Sequence, residues 1–347
     1  MCCWRLGSPK RAGDSRAVEV VIVRTFLAEV LCCPIDQSSV SIAEESVVCE
    51  RGHRFPCANG IPIMLDPSMP PTHYRIFETT HECSENKHLR GMSLEEAEHY
   101  ARDNVGGTCG LFYLGKGGSL DRLPIPQLLV PRGHGRLLDI GCGWGRWCIA
   151  AAQQGYTVIG IDPFLDSVRS AQALTRHLGL SAEFVVGDAR CLPFRQASFD
   201  VVHSYAVFLH FAKEDTTTAV QQIGRVLRKG GRSFVQLPNA RGLRNLSVQV
   251  SRGFRESRDS GDFSTRYWKR RDMRELFETY VGTSTLNAEG FGYTSAGGIP
   301  QGGVAGLPWK ARVTLTISET LRRLALRVPV LGSFADSVYV QSIRDAT

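Results

Sequence analysis

The segment Leu137-Leu138-Asp139-Ile140-Gly141-Cys142-Gly143-Trp144-Gly145 constrains this chain more than any other. An apolar run enters three glycines at alternate positions, and a helix-compatible stretch starts near Arg146. A strand that passes straight into a helix must turn sharply. Glycine permits the turn because it has no Cβ, and its bare backbone lets a ligand come closer than any side chain would.

The surroundings of the loop repeat its logic. β-like runs at Arg136–Ile140, Tyr156–Ile161, Ala182–Val186, Phe199–Ser204, Arg232–Leu237, Thr283–Ala288 and Ser337–Ile343 alternate with helical stretches. That alternation predicts an α/β fold, a parallel sheet with helices on both faces. Between the fourth and fifth runs, Val220, Ile223, Val226 and Leu227 recur at helical spacing, with Gly230-Gly231 expected to end the helix. Another helix is expected around Val313–Arg327, and Ser93 with Glu96 forms a capping-box pattern before Ala97.

Acidic residues stand where a nucleotide-like ligand would use them. Asp162 closes the second run and can accept from ribose hydroxyls, while Asp188, in Gly187-Asp188-Ala189, can accept from an exocyclic amine. Asp139 precedes the loop, where it could pair with a cationic amino group, and Asp200 opens the fourth run. The dinucleotide fingerprint would need a glycine at position 146, and arginine stands there.

The ordered set D-I-G-C-G-W-G, G-I-D-P-F, G-D-A-R-C-L-P-F, S-F-D-V-V and V-L-R-K-G-G resembles the class I S-adenosylmethionine-dependent methyltransferases, especially the ubiquinone/menaquinone group, over about residues 135–240. The resemblance implies a Rossmann-like seven-stranded sheet with its last two strands reversed in order. It implies S-adenosylmethionine as cofactor, with Gly141, Gly143 and Gly145 beside its methionine part and Asp139 near its amino group. It also implies Asp162 on the ribose, and Asp188 and Ala189 at the adenine.

Upstream, Cys33-Pro34-Ile35-Asp36 and Cys49-Glu50-Arg51-Gly52-His53 flank a short hairpin-like stretch. Two tight turns, each with two donors, can close a tetrahedron around zinc. The segment 25–66 resembles the small zinc-ribbon domain of the methyltransferase-activator subunit, departing from it where Asp36 replaces a cysteine. The implied ligands are Cys33, Asp36, Cys49 and His53, with Cys32 or Cys57 as substitutes. A ribbon without metal, packed on Phe55, Ile61, Ile63 and Leu65, is the alternative. A closed four-ligand zinc would be structural.

At 347 residues there is room for both units. Residues 1–17 read as a basic disordered tail, 18–66 as the ribbon-like domain, and 67–130 as linker and substrate-lid helices. Residues 131–347 read as the methyltransferase domain, with cap insertions in 238–336. No run reaches the ~18 apolar residues of a membrane span, since Val18–Leu31 carries Glu19, Arg24 and Glu29. No signal peptide is evident, so a cytoplasmic location is expected, with the 11 cysteines reduced. The net charge of +7 permits an acidic partner without naming one. Cys142, Cys148 and Cys191 read as small packing residues.

The acceptor would lie over the carboxyl ends of the strands. His210, after the fourth strand, is the first candidate base, and His203 and Tyr205 alternate on that strand and could face the pocket. His81, His88 and His99 read as surface or lid residues. Arginines accumulate from Arg241 to Arg274, including Arg258 and Arg266, and read as a solvated lid or as a site for an anionic acceptor. Leu321-Arg322-Arg323-Leu324-Ala325-Leu326-Arg327 reads as a basic amphipathic helix that caps the pocket or makes peripheral contact with a membrane.

Three functions compete: methylation of a small, lipid-linked or sugar-linked acceptor at oxygen or carbon; RNA methylation; and a non-catalytic, methyltransferase-like partner role. Against RNA stands the lack of an Asn/Asp-Pro-Pro-aromatic motif, the candidate position reading Leu237-Pro238-Asn239-Ala240. The intact loop and acids argue against the non-catalytic role.

Overall fold

In the computed structural model the mainly apolar runs, such as Arg136–Ile140 with four of five residues buried, become strands covered on both faces. The structure describes residues 26–43, 46–70, 91–105, 123–131, 133–255, 264–292, 294, 295, 299, 301 and 307–345. The tail 1–17, His81, His88 and Arg258 lie outside them.

The described strands are β1 (Val40–Ile42), β2 (Ser46–Cys49), β3 (Arg54–Ala58), β4 (Ile61–Met64), β5 (Arg136–Ile140), β6 (Thr157–Asp162), β7 (Ala182–Gly187), β8 (Phe199–Ser204), β9 (Leu227–Pro238), β10 (Ser284–Phe291), β11 (Thr294–Ser295) and β12 (Ser337–Ile343). The helices are α1 (Leu94–Val105), α2 (Arg146–Gln153), α3 (Leu165–His177), α4 (Lys213–Val226), α5 (Leu243–Ser251), α6 (Arg270–Tyr280), α7 (Trp309–Arg327) and α8 (Pro329–Gly332).

The middle of the sheet runs β7-β6-β5-β8-β9-β12-β10, with β12 antiparallel to both its neighbours. This is the expected seven-stranded order with its last two strands exchanged. The sheet itself is larger than expected, with twelve strands among the described residues instead of seven. Strand β4 leaves the N-terminal hairpins to pair in parallel with β7, through Ile63↔Val186 and Met64↔Gly187, and β11 extends the far edge. An unpaired edge at β7 would expose a row of backbone donors and acceptors, and β4 covers it. Leu31, Cys33, Val47 and Phe55 of the N-terminal segment share one buried cluster with Val185, Leu192 and Phe194.

One local expectation fails. Gly230-Gly231 do not end a helix: α4 stops at Val226, and the glycines lie inside β9. Gly230 sits at φ +73 where the β8–β9 register shifts, a bulge that a Cβ would oppose. The capping box is present, with Ser93 N donating to Glu96 Oε2 at 2.8 Å and Glu96 N donating to Ser93 Oγ at 3.2 Å. Helix α1 packs across α3, where Ser170 Oγ donates to the Ala97 carbonyl at 2.9 Å.

Candidate active site

The glycine loop joins β5 to α2, and each glycine serves a different need. All three have positive φ: +72 at Gly141, +53 at Gly143 and +86 at Gly145. A Cβ on Gly141 would collide with Val207, and one on Gly145 would come within 2.8 Å of Ala171 Cβ on α3. A Cβ on Gly143 would meet nothing within 4 Å. The middle glycine therefore faces open space, while its neighbours close the packing on either side. The loop is tied down by hydrogen bonds from Gly141 N and Cys142 N to the Ile161 carbonyl, at 2.8 and 3.1 Å.

Asp162, at the end of β6, reaches the same opening. Its Oδ2 accepts from Gly143 N at 2.9 Å and its Oδ1 from Phe164 N at 3.0 Å. These bonds hold the carboxylate in place, and each oxygen keeps lone pairs for a ligand hydroxyl. Burial pushes its pKa up to about 6, against the lowering effect of the two backbone donors.

The other two acids are engaged within the protein. Asp139 is buried, with Oδ1 2.8 Å from His203 Nδ1 and Oδ2 accepting from Cys148 Sγ at 3.3 Å. Asp188 is bonded by Arg190 through Nε at 3.1 Å and Nη2 at 2.7 Å, and it caps the turn Ala189–Cys191 through Arg190 N. Arg190 also reaches Asp215 and the Pro70 carbonyl. The expected direct contacts of Asp139 with an amino group and of Asp188 with an adenine are thus preceded by protein partners. Arg190 stands inside G-D-A-R-C-L-P-F, but no spacing rule announces its fork-like grip on an acid two residues away.

The candidate bases separate in the same way. His203 is wholly buried, its Nε2 3.4 Å from the Tyr339 hydroxyl and its ring 4.8 Å from Trp147 on α2. Tyr205 is buried beside it and donates to Glu289 Oε1 at 3.2 Å. Both are buried against Trp147 of α2 instead of facing solvent, its ring centroid lying 4.9 Å from that of Tyr205. Burial, with the negative charge of Glu289, drives the Tyr339 hydroxyl well above its usual range. Sequence reading missed Arg146, Glu289 and Tyr339, which join this cluster from three separate elements. His210 is half-buried in the turn Phe208–His210, and Arg266 Nη1 holds its carbonyl at 2.7 Å. Arg266 is itself fully buried, so it is not part of a solvated lid. His99 is a surface residue paired with Asp103. Burial pushes the Cys142 thiol to about 11 and Cys191 to about 12, which keeps both protonated at neutral pH.

Around the β1–β3 hairpins, Cys33, Asp36, Cys49 and His53 place one donor atom each within 4.8 Å of one another. His53 Nδ1 lies 3.4 Å from Cys33 Sγ, 3.3 Å from Cys49 Sγ and 3.4 Å from Asp36 Oδ2. Zinc–ligand distances of about 2.0–2.3 Å imply tetrahedral edges of about 3.3–3.8 Å, and the three distances from His53 fit the ion. Ser38 donates twice to Asp36 Oδ1, at 2.9 and 2.6 Å, leaving buried Oδ2 without a hydrogen bond. Those Ser38 bonds also hold Asp36 down at about 2. Cys32 turns to Gln37 at 3.3 Å, and neither it nor Cys57 joins the group.

Residues 137–231 match the family model described as "Methyltransferase domain", so this part of the chain is a methyltransferase domain. The chain is 27% identical over 230 residues to 2-methyl-6-phytyl-1,4-hydroquinone methyltransferase of Synechocystis sp., covering 66% of this chain and 64% of that protein. It is 29% identical over 125 residues to a ubiquinone biosynthesis O-methyltransferase of Chelativorans sp., covering 36% of this chain and 48% of the relative. The chain therefore spans less than two thirds of the length of these curated relatives. The YcgJ protein of Bacillus subtilis aligns in three dimensions with a TM-score of 0.41 at 20% identity, over 62% of this chain and 94% of that one. Among the described residues no helix is long and apolar enough to cross a membrane.

Proposed function

We propose that the protein is an S-adenosylmethionine-dependent methyltransferase acting on a small, lipid-linked or sugar-linked acceptor at oxygen or carbon. The observation that carries the reading is the opening at Gly143, bare of side chains and bordered by the Asp162 carboxylate. When bound, the cofactor supplies a methyl group already activated on a sulfonium. The chain then has to bind, orient and exclude water, since proximity and alignment account for much of the rate in such a displacement. Asp162 would hold the ribose, and the loop backbone from Gly141 to Gly145 would line the methionine part. His210 is the candidate to take a proton from an acceptor hydroxyl; His203 and Tyr205 act as positioning residues through Asp139 and Glu289. Asp139, Asp188 and Ala189 would shape the site through their hydrogen bonds and packing.

Two relatives act, by their names, on a phytyl hydroquinone and in ubiquinone biosynthesis, and this supports an acceptor with an aromatic hydroxyl and an apolar tail. Cys33, Asp36, Cys49 and His53 would hold a structural zinc, its four positions filled by protein so that none is left for chemistry.

The test is transfer of labelled methyl from S-adenosylmethionine into lipid, RNA and small-molecule fractions, with Asp162→Ala as control. Label in the lipid or small-molecule fraction, lost in the variant, is expected. Label confined to RNA would replace the acceptor. Absence of both labelling and calorimetric cofactor binding would overturn the reading altogether.

A further inference from the structure

Helix α7 has two apolar sides where a surface helix needs one. Ala311, Leu315, Ser318 and Ala325 are buried, with Ser318 Oγ accepting from Phe291 N at 3.0 Å and Ala325 packed on Ala288 and Phe291. On the opposite side Trp309, Val313, Ile317, Leu324 and Val328 follow one another at helical spacing, all exposed. Helix α5 likewise exposes an apolar side. Its inner side is anchored by Asn245, whose amide donates to the Asp336 and Asn239 carbonyls at 2.7 and 2.9 Å. Its outer side shows Leu243, Leu246 and Val250, with Phe254 just beyond. The start of α5 is joined to the segment that follows α8, where Leu243 N donates to the Phe334 carbonyl at 3.3 Å. Phe334 is 44% exposed there and Val330 70%.

The charge around these stripes is predominantly basic. Residues 239–255 contain Arg241, Arg244, Arg252 and Arg255 and no acid. Residues 307–335 contain Lys310, Arg312, Arg322, Arg323 and Arg327 against the single acid Glu319. That carboxylate is taken by Arg322 and Arg323, at 2.7 and 2.8 Å.

We propose that the outer faces of α5, α7 and α8 form a docking surface for an anionic lipid bilayer. Projecting Trp, Leu, Val and Phe side chains beside arginines suit the boundary between acyl chains and headgroups. A leaflet takes up such side chains without a complementary shape, and its negative potential attracts the basic residues. The surface deepens the lipid-linked reading of the acceptor and extends beyond the C-terminal helix to α5.

Flotation of the full chain with vesicles of phosphatidylcholine, with or without a third of phosphatidylglycerol, tests it. Binding to the anionic vesicles is expected, with each of the exposed Arg241, Arg252, Arg312 and Arg327 changed to glutamine weakening partition about fivefold. Val313→Glu with Ile317→Glu should weaken it at least tenfold (about the loss of one buried aliphatic side chain), and so should Leu246→Glu with Val250→Glu. Raising salt from 0.1 M to 1 M, which shortens the Debye length from about 10 to about 3 Å, should release the protein. Thermal midpoint and S-adenosylhomocysteine affinity of the variants should stay at wild-type values. No flotation of the wild type with anionic vesicles, or unchanged flotation of the variants, would overturn the proposal. So would a dimer in vesicle-free solution that Val313→Glu converts to monomer, because the face would then belong to a second copy. Label still entering a detergent-dispersed lipid fraction when docking fails would sink this surface and leave the proposed function standing.

Discussion

Replacing the loop glycines one at a time by alanine should separate binding from folding. A non-glycine residue in the left-handed region costs roughly 1–2 kcal/mol. At Gly143 that strain is the whole penalty to the free protein, because the added Cβ meets nothing within 4 Å. At Gly145 the methyl also meets Ala171 Cβ at 2.8 Å, and such overpacking adds about 1–3 kcal/mol. With thermal midpoints moving by at most about 2–4 °C per kcal/mol in a chain of this size, Gly145→Ala should melt several degrees below Gly143→Ala. Ligand affinity should show the reverse emphasis. If the cofactor occupies the space beside Gly143, the alanine methyl overpacks the bound state by about 1–3 kcal/mol, about 5- to 150-fold in Kd. Differential scanning calorimetry and titration with S-adenosylhomocysteine read the two effects independently. Wild-type affinity in a folded Gly143→Ala protein would refute the assignment of that opening. Equal melting of the two variants would refute the packing account of Gly145.

Other consequences follow from the same geometry. Cofactor affinity should weaken as pH falls through about 6, by up to about tenfold per unit, because protonated Asp162 loses charge toward the ribose hydroxyls. Without ligand the sign is opposite: an acid whose folded pKa is raised contributes stability that is full below its unfolded value and lost as pH rises through about 6. Affinity that stays flat from pH 5 to pH 7.5 would contradict the assignment. Asp139→Ala should destabilise the fold by about 1–3 kcal/mol by leaving His203 Nδ1 buried without its hydrogen-bond partner, as chemical unfolding would show; a loss under about 1 kcal/mol would mean the contact is dispensable. Elemental analysis of the purified chain should find about one zinc, with Asp36→Cys retaining it and Cys49→Ala with His53→Ala releasing it. A metal-free wild type of unchanged thermal stability would support the packed, metal-free ribbon instead.

The central strands and the glycine loop were legible because their determinants are local. Apolar runs bounded by turns mark Phe199–Ser204 and Ser337–Ile343 to the residue, and positive φ at three alternate positions requires glycine. The grouping of Cys33, Asp36, Cys49 and His53 was equally readable, since two tight turns keep each pair only a few residues apart. What spacing could not show is which partner a side chain meets across the sheet. Asp139 and Asp188 read as ligand contacts from position alone, and folding gives their oxygens first to His203 and Arg190. Those pairings depend on register, such as Asp139 opposite His203 in β5–β8, and on α2 laying Trp147 over both strands. Sheet size was also a tertiary decision, because a strand edge at β7 accepts whichever segment reaches it, and β4 arrives from more than 100 residues earlier. Local chemistry thus identified a glycine loop that opens at Gly143; only the packed sheet determined which of the nearby acids borders that opening.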